Sequence, residues 1–218
     1  MNSTPRPNIL LLVSGSVAAV KTFSLVTELV TIGNVKVVLS TASIHFIKDL
    51  STLADVCKSR EVVSVSSKTY PPIIENTSVF TDDMEWSTFS SIGDPVLHIE
   101  LRRWADIGIL APASANTIAK ISSGISDTLI TCVFRCWDLM SYNMNNTLRY
   151  PIIVAPAMNT LMWEHPFTLQ QLNILKSLGM IIIDPVSKKL ACGDVGMGAL
   201  ADISSIVGYI QCLLTEKT

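Results

Sequence analysis

The sequence predicts one α/β domain in which helices cover both faces of a parallel β-sheet, giving three layers. Continuous apolar runs, typical of strands buried on both faces, alternate with amphipathic stretches along the whole chain. The connections are short, as in repeated strand–helix–strand units. We assign all 218 residues to a single domain and expect residues 1–8 to be a flexible N-terminus.

The first half of the chain contains three predicted strands. Residues 9–13 are apolar and end at a Ser-Gly-Ser loop, which predicts a buried strand, and residues 17–31 have helical periodicity. Residues 35–39 predict a second strand, followed by a polar helix cap at 40–43 and a helix at 44–50. Residues 61–65 predict a weaker third strand. Residues 66–83, rich in Ser, Thr, Pro and Asn, predict a surface loop.

The second half repeats this alternation. Residues 107–110 predict a strand, 114–122 a capped helix, and 125–137 an apolar helix. Residues 139–149 contain three Asn without periodicity and predict a loop insertion. Residues 152–155 predict a strand, 160–178 a helix that ends at a glycine, and 180–183 a last strand.

The composition excludes several classes of protein. With 49% hydrophobic and 16% charged residues and a net charge of -2, the chain is too apolar to be intrinsically disordered. No apolar run reaches the roughly 18 residues of a membrane span, and no basic stripe indicates nucleic acid. Five cysteines without a framework spacing predict free thiols and a cytoplasmic location. No Cys-x-x-Cys pair is present, so we expect no metal site.

Four loops at predicted strand ends combine small residues with hydroxyl or amide groups. Such loops let backbone amides approach a phosphate at a helix N-terminus. A Gly-x-Gly-x-x-Gly motif is absent after the first strand, which favours a mononucleotide such as FMN over NAD. The same residue types are also ordinary helix caps, but four loops at successive strand ends favour one shared ligand. The loops lie at residues 14–17, 40–43, 113–117 and 156–160.

Two side chains are candidates for proton chemistry. His98 fits a general base, because imidazole titrates near neutral pH, but this segment by itself favours a histidine at a helix start that bonds to a neighbour. Cys192 lies in a glycine-rich segment behind two lysines, which fits a reactive thiol or an ordinary loop cysteine. Close to His98 in the sequence, the charged residues fit surface or subunit-contact roles; they are Glu100, Arg102 and Arg103.

Four long motifs resemble the flavin-containing cysteine decarboxylase family, and most of all its members that act on phosphopantothenoylcysteine. The motifs are VSGSVAAVK, DPVLHIELRRWADIGILAPASANTIAKISSGISDTLITCVFRCWD, PAMNTLMWEHPFT and KKLACGDVGMGAL, and the resemblance extends over residues 9–206. It implies a flavodoxin-like fold and a homotrimer with FMN at or near the subunit contacts. All three implied functional side chains, His98, Asn159 and Cys192, are present, which favours identical subunits.

The resemblance also implies an activity, the FMN-dependent decarboxylation of phosphopantothenoylcysteine to phosphopantetheine in coenzyme A biosynthesis. The thiol side of the substrate is oxidised, the resulting thioaldehyde loses CO2, and the ene-thiol is reduced, with no net redox change. His98 would act in the oxidative decarboxylation, Cys192 would donate the final proton, and Asn159 would hold the substrate carboxylate.

Further binding residues follow from the same resemblance. A substrate flap at 187–200 would contribute Lys189, Leu190, Ala191 and Leu200. The residues matching the FMN-binding segments are Gly15, Ser16, Val17, Thr41, Ala42, Ser43, Ser114, Ala115, Asn116, Thr117 and Met158.

Two other functions occur on related folds. Regulatory subunits of a protein phosphatase carry long N-terminal extensions and an acidic C-terminal tail, whereas residues 215–218 form no such tail. A decarboxylase of peptidyl cysteine is the other alternative. The match around His98 and Cys192 argues against it.

Overall fold

Eight β-strands form two sheets in the part of the chain that the structure describes. The structure, a computed structural model, describes residues 6–60, 70–87, 89–142, 147–189, 193 and 195–215. The strands are β1 (Asn8–Val13), β2 (Asn34–Leu39), β3 (Val79–Thr81), β4 (Ile107–Ala113), β5 (Ile152–Pro156), β6 (Ile181–Ile182), β7 (Val186–Lys189) and β8 (Val195–Ala199).

The larger sheet contains six strands in the order β3-β2-β1-β4-β5-β6, and every neighbouring pair is parallel. Without the edge strand β3, this order is that of the flavodoxin fold. The chain reverses direction across the sheet between β1 and β4, and ligands bind at such switch points, beyond the carboxyl ends of the strands. Strands β7 and β8 form a separate antiparallel hairpin.

Helices cover both faces of the larger sheet. A 3-10 turn at Val17–Lys21 precedes the first of them. The helices are α1 (Thr22–Ile32), α2 (Thr41–Ile44), α3 (Leu50–Lys58), α4 (Pro72–Asn76), α5 (Asp82–Ser87), α6 (Leu97–Trp104), α7 (Ala115–Ser122), α8 (Leu129–Arg135), α9 (Thr160–Trp163), α10 (Pro166–Ser177) and α11 (Ile203–Thr215).

The alternation of side chains along β1 divides the core into two clusters. Ile9 and Leu11 face one side, where they pack with α1, α3 and α11, and Leu10 and Leu12 face the other, with α6, α7, α8 and α10. Because successive side chains of a strand point to opposite faces, a strand buried on both faces is expected to be apolar at nearly every position. This confirms the predicted three-layer α/β class.

The polar segment predicted as a surface loop, residues 66–83, was the clearest error. It contains helix α4, edge strand β3 and the start of helix α5, and β3 pairs with β2 over three residues. An edge strand of this length has one buried side chain, Phe80, and gives almost no hydrophobic pattern. The predicted strand at 61–65 lies outside the described residues.

Several predicted helices have different limits. The segment 17–31 begins as the 3-10 turn, 44–50 is replaced by the short helix α2 and the later helix α3, and 125–137 is helical only over α8. The segment 160–178 is two helices, because Pro166 has no backbone N–H and begins α10 instead of continuing α9. Helices α6 and α11 were not predicted as helices.

The predicted flap and the predicted flexible N-terminus are partly described. The flap, 187–200, consists largely of the β7–β8 hairpin. At the N-terminus, the guanidinium of Arg6 donates to the carbonyl of Gly33 at 2.8 Å, and Asn8 already belongs to β1. In the insertion, Tyr142 and Leu148 form an antiparallel bridge. No described helix has the length and apolar character needed to cross a membrane.

Candidate active site

A cavity of about 530 Å³ lies where the loops after β1, β4 and β5 meet. This volume is within the range of small-molecule sites. Nine residues predicted to bind cofactor or substrate line it, and they come from segments far apart in the sequence. They are Gly15, Ser16, Val17, Ser114, Ala115, Asn116, Met158, Asn159 and Leu200.

Ser14 joins the loops that follow β1 and β4. Its side chain is fully buried, and its hydroxyl donates to the carbonyl of Pro112 at 2.8 Å. The same hydroxyl oxygen accepts a hydrogen bond from the backbone amide of Ser114 at 2.7 Å. Because a buried polar group is costly unless paired, these two bonds fix the relative position of the loops.

Ser16 links the first of these loops to the loop after β5. Its hydroxyl donates to the carbonyl of Ala157 at 3.0 Å and caps the following 3-10 turn by accepting from the amide of Ala18. Gly15, the preceding residue, packs against Ala42, because a Cβ atom on Gly15 would lie 2.5 Å from the Cβ of Ala42. A side chain at position 15 would therefore push the loop away from α2.

Ser114 caps helix α7 beside the cavity. Its hydroxyl oxygen accepts from the amide of Thr117, and its hydroxyl donates to the Thr117 side chain at 3.1 Å. The helix extends from this cap as eight residues, so the positive end of its dipole lies at the loop that lines the cavity. A helix N-terminus of this kind favours an anionic group.

The β7–β8 hairpin packs on the loop after β5. The backbone amide of Met158 donates to the carbonyl of Gly198 at 2.9 Å, and a Cβ atom on Gly198 would approach the Met158 oxygen to 2.3 Å. Gly198 has a φ of +130°, which a residue with a side chain rarely adopts. Next to it, Asn159 caps α9, with its Oδ1 accepting from the amide of Leu161 at 2.8 Å. The hairpin thus closes one side of the cavity.

Two lysines that sequence reasoning did not select also line the cavity, Lys21 and Lys188. Lys188 forms an ion pair with Asp202, and this contact lowers the pKa of the Asp202 carboxyl from its ordinary value. Lys21 ends the first sequence motif and was a detectable signal, because it is a lone charge in an apolar segment. Lys21 adds positive charge to the cavity wall, and Lys188 places there an ammonium group that is paired with Asp202.

His98 lies on the first turn of α6, away from the residues that line the cavity. Its Nδ1 contacts the carboxylate of Glu85, and its backbone amide donates to the other carboxylate oxygen at 3.2 Å. The Sγ of Cys136 donates to the His98 carbonyl at 3.6 Å, and burial raises the pKa of the Cys136 thiol to about 11. Glu85 is the main site residue that the sequence analysis missed.

The predicted segment at 41–43 lies in α2 beside the cavity, outside its lining. The amide and hydroxyl of Thr41 both donate to Asp82, at 3.0 and 2.9 Å, and Ser43 is buried. Thr117 is likewise buried behind its cap and is not part of the lining.

Part of the predicted flap lies outside the described residues. Leu190, Ala191 and Cys192 lie outside the described residues, and Lys189 is described only as the last backbone position of β7. Among the described residues, no three His, Cys, Asp or Glu side chains gather in a group that could hold a metal ion.

The residues around the cavity fit a flavin mononucleotide. Apolar side chains, among them Val17, Phe46 and Met162, offer surface to a flat aromatic ring, and the hydroxyl-bearing loops and the α7 N-terminus suit a phosphate. Because Gly15 packs closely on Ala42, a side chain at position 15 would displace the first loop and alter the cavity wall.

Comparison with known proteins agrees with this architecture. The flavoprotein family matches residues 2–215. A phosphopantothenoylcysteine decarboxylase of Arabidopsis thaliana is 43% identical over 212 residues, covering 97% of this chain and 87% of the relative.

Two solved structures are also similar. One is a cysteine-to-serine mutant of PPC decarboxylase complexed with pantothenoylaminoethenethiol, with a TM-score of 0.77, 40% identity and coverage of 96% of this chain and 99% of that one. The other is the FMN-binding protein AtHal3, with a TM-score of 0.75, 40% identity and 98% coverage of both chains. These matches confirm the resemblance carried by the four sequence motifs. The chain therefore belongs to the flavoprotein family and is a relative of phosphopantothenoylcysteine decarboxylases.

Proposed function

We propose that this protein uses FMN to decarboxylate phosphopantothenoylcysteine to phosphopantetheine, a reaction of coenzyme A biosynthesis. The observation that carries the proposal is the cavity itself. It joins the candidate flavin loops around Ser16 and Ser114 to the candidate carboxylate-binding residue Asn159, in a chain 40% identical to a PPC decarboxylase solved with pantothenoylaminoethenethiol.

The loops after β1 and β4 and residue Met158 would hold the FMN. When bound, FMN supplies an acceptor for two electrons from the substrate thiol and returns them after CO2 has left. The protein's own part is to bind and orient the substrate, to exclude water and to move protons. Lys21 and Lys188, on the cavity wall, would attract the phosphate of the substrate by charge.

Three side chains take separate roles toward the substrate. Asn159 would donate from Nδ2 to the carboxylate, since its Oδ1 already accepts the Leu161 amide. His98 would remove a proton in the oxidative half of the reaction. Cys192 would return a proton to the ene-thiol carbon, and the β7–β8 hairpin would close over the substrate.

The proposal includes a homotrimer, because His98 has to come from a neighbouring copy. His98 does not line the cavity of its own chain in the described structure. Close to it in sequence, Trp86, Phe89 and Ile92 are large apolar side chains exposed to 80%, 45% and 102%. Burial of such side chains against a second copy would bring His98 to that copy's cavity. Equilibrium sedimentation of the purified chain tests this, and a monomer that turns over substrate would contradict it.

A cytoplasmic location is part of the same proposal. All four cysteines that the structure describes are free thiols, as expected in a reducing compartment. Fractionation of cells that express the tagged full chain should recover it with cytosolic markers. Recovery with secreted or membrane markers would contradict this part.

The test of the activity is turnover by the single purified chain. We expect a yellow protein that releases CO2 from phosphopantothenoylcysteine and forms phosphopantetheine, detected by mass spectrometry. Asn159→Ala should lose most turnover while retaining FMN, whereas Lys58→Ala, an exposed change on the distant helix α3, should keep both. A peptide that ends in cysteine serves as a control substrate and should release no CO2. Release from the peptide alone would replace this proposal with the peptidyl-cysteine alternative.

A further inference from the structure

We propose that Glu85 is a positioning residue for His98, holding the imidazole in the tautomer that carries its proton on Nδ1. This inference rests on the proposed function for its catalytic meaning. The contact itself involves only the Glu85 carboxylate on α5 and the His98 imidazole on α6.

Both carboxylate oxygens of Glu85 bind the same residue, His98. Oε1 contacts Nδ1 of the His98 ring, and Oε2 accepts from the His98 backbone amide at 3.2 Å. Two bonds from one carboxylate to the amide and the ring of one residue restrict both the position of that residue and the rotation of its side chain. A carboxylate only accepts hydrogen bonds, so the ring nitrogen facing it carries the proton.

Glu85 is a buried acidic residue. The side chain of Glu85 is only 8% exposed, and ionisable groups are rarely so buried unless they are paired. The His98 side chain is 23% exposed, so its ring lies between the buried carboxylate and solvent. With Nδ1 directed at Glu85, Nε2 is left as the acceptor, which is the state a general base requires.

Helix α5, which bears Glu85, is itself held by hydrogen bonds to neighbouring helices. Asp82, on the first position of α5, accepts from the amide and hydroxyl of Thr41 and, through its other oxygen, from the amide of Leu129 at 2.9 Å. These bonds tie α5 to α2 and α8 one turn before Glu85. A positioning residue on such a support does not drift away from the ring it orients.

The backbone carbonyl of His98 is also held, by a residue at the end of α8. The Sγ of Cys136, on the C-cap of α8, donates to the His98 carbonyl. Burial raises the pKa of both the Cys136 and the Cys132 thiols, so these neighbours stay neutral. The charged groups that act on these two thiols are Asp82, Asp127, Arg102 and Glu85, and among them Glu85 is the carboxylate in contact with the ring.

A purely structural role would need only one of the two contacts. Helix α6 has no side-chain cap from its own N-cap residue, Val96, and the bond from Oε2 to the His98 amide supplies one from outside the helix. The contact of Oε1 with the ring adds nothing to this cap. Variants can therefore separate the two roles.

The experiment compares Glu85→Ala and Glu85→Gln with the control Asp83→Asn in the FMN-bound protein. Asp83 is exposed on the same helix, and its substitution also removes one negative charge. In Glu85→Gln the amide oxygen can still accept the backbone bond and cap α6, while the charge that favours the protonated Nδ1 is lost. Retained FMN and circular dichroism identify the variants that fold.

Two quantities are measured, and only the first is independent of activity. In protein labelled with ¹⁵N-histidine, the His98 signals, assigned with His98→Asn, report the tautomer of the neutral ring. We expect the Nδ1–H form in the wild type and in Asp83→Asn, and a shift toward the Nε2–H form in both Glu85 variants. We expect kcat to fall about 10- to 100-fold in Glu85→Ala with KM unchanged within about twofold, the size typical of groups that orient functional histidines.

The possible outcomes separate this inference from the proposed function. The positioning role is overturned if both Glu85 variants retain the Nδ1–H form. It is also overturned if Glu85→Ala has the same kcat as Asp83→Asn. A wild-type protein that binds FMN yet releases no CO2 overturns the proposed function. In that case the tautomer measurement still decides whether Glu85 orients the ring.

Discussion

Replacement of Gly15 by alanine tests whether the contact with Ala42 shapes the flavin site. The new Cβ would lie 2.5 Å from the Ala42 Cβ, whereas carbon atoms in contact normally lie about 3.5–4.0 Å apart. The loop at Gly15 must therefore move by about 1 Å or more. Overpacking of this kind costs about 1–3 kcal/mol. If this free energy destabilises the loop conformation that binds FMN, the Kd for FMN rises roughly 5- to 150-fold, because about 1.4 kcal/mol corresponds to a factor of ten.

The clash is tested by removing its other partner. Ala42→Gly alone should cost only about 0.5–1 kcal/mol of stability, the penalty of glycine in a helix. The double variant should regain most of the FMN affinity, because neither Cβ is opposed by the other, giving a coupling energy of about 0.5–3 kcal/mol. The assay is titration of FMN fluorescence with apo-protein, alongside urea unfolding. Gly208→Ala is the matched control, since a Cβ there meets nothing within 4 Å.

Two results would refute this reasoning. One is a Gly15→Ala variant that binds FMN as tightly as the Gly208→Ala control. The other is a double variant that binds FMN no better than Gly15→Ala alone, which would place the damage elsewhere than in the contact with Ala42.

Three further predictions concern the walls of the site. Ser14→Ala should lower the free energy of unfolding by about 1–3 kcal/mol, because the buried amide of Ser114 loses its acceptor, and urea denaturation measures this; an unchanged midpoint would contradict it. Gly198→Ala should expose the β7–β8 hairpin to faster hydrogen exchange, since its φ of +130° suits only glycine, and exchange at the wild-type rate would count against the close packing. Cys136 has a pKa of about 11, so only about 0.1% of it is thiolate at pH 8. It should therefore react with iodoacetamide far more slowly than the exposed Cys212, and its rate should increase as the pH rises through 11. Equal rates for the two cysteines at pH 8 would contradict this prediction.

The strands of the sheet's centre were predictable because burial on both faces leaves a direct trace in the sequence. Strands β1 and β4 are apolar at almost every position, and each ends in a Ser-containing loop that reaches the cavity. The site loops around Ser16 and Ser114 were predictable for the same reason. Their position follows from the strands that precede them.

The elements that position His98 left no such trace. Strand β3 contributes one buried side chain, and the buried Glu85 contacts the ring of a histidine 13 residues later in the chain. A single glutamate in a polar segment looks exposed until that pairing is known. The division of the segment 160–178 was detectable, because Pro166 cannot continue a helix.

The hydrogen bonds that join the cavity loops also determine when the site can form. The partners of the bonds from Ser14 to Pro112 and from Ser16 to Ala157 are 98 and 141 residues apart. Contacts of such long range form slowly, because a large loop of chain must be closed first. During synthesis, a nascent chain acquires the complete cavity wall only after the β7–β8 hairpin and Leu200 have left the ribosome. We therefore expect a flavin to bind late in folding, once the centre of the sheet and the hairpin are in place.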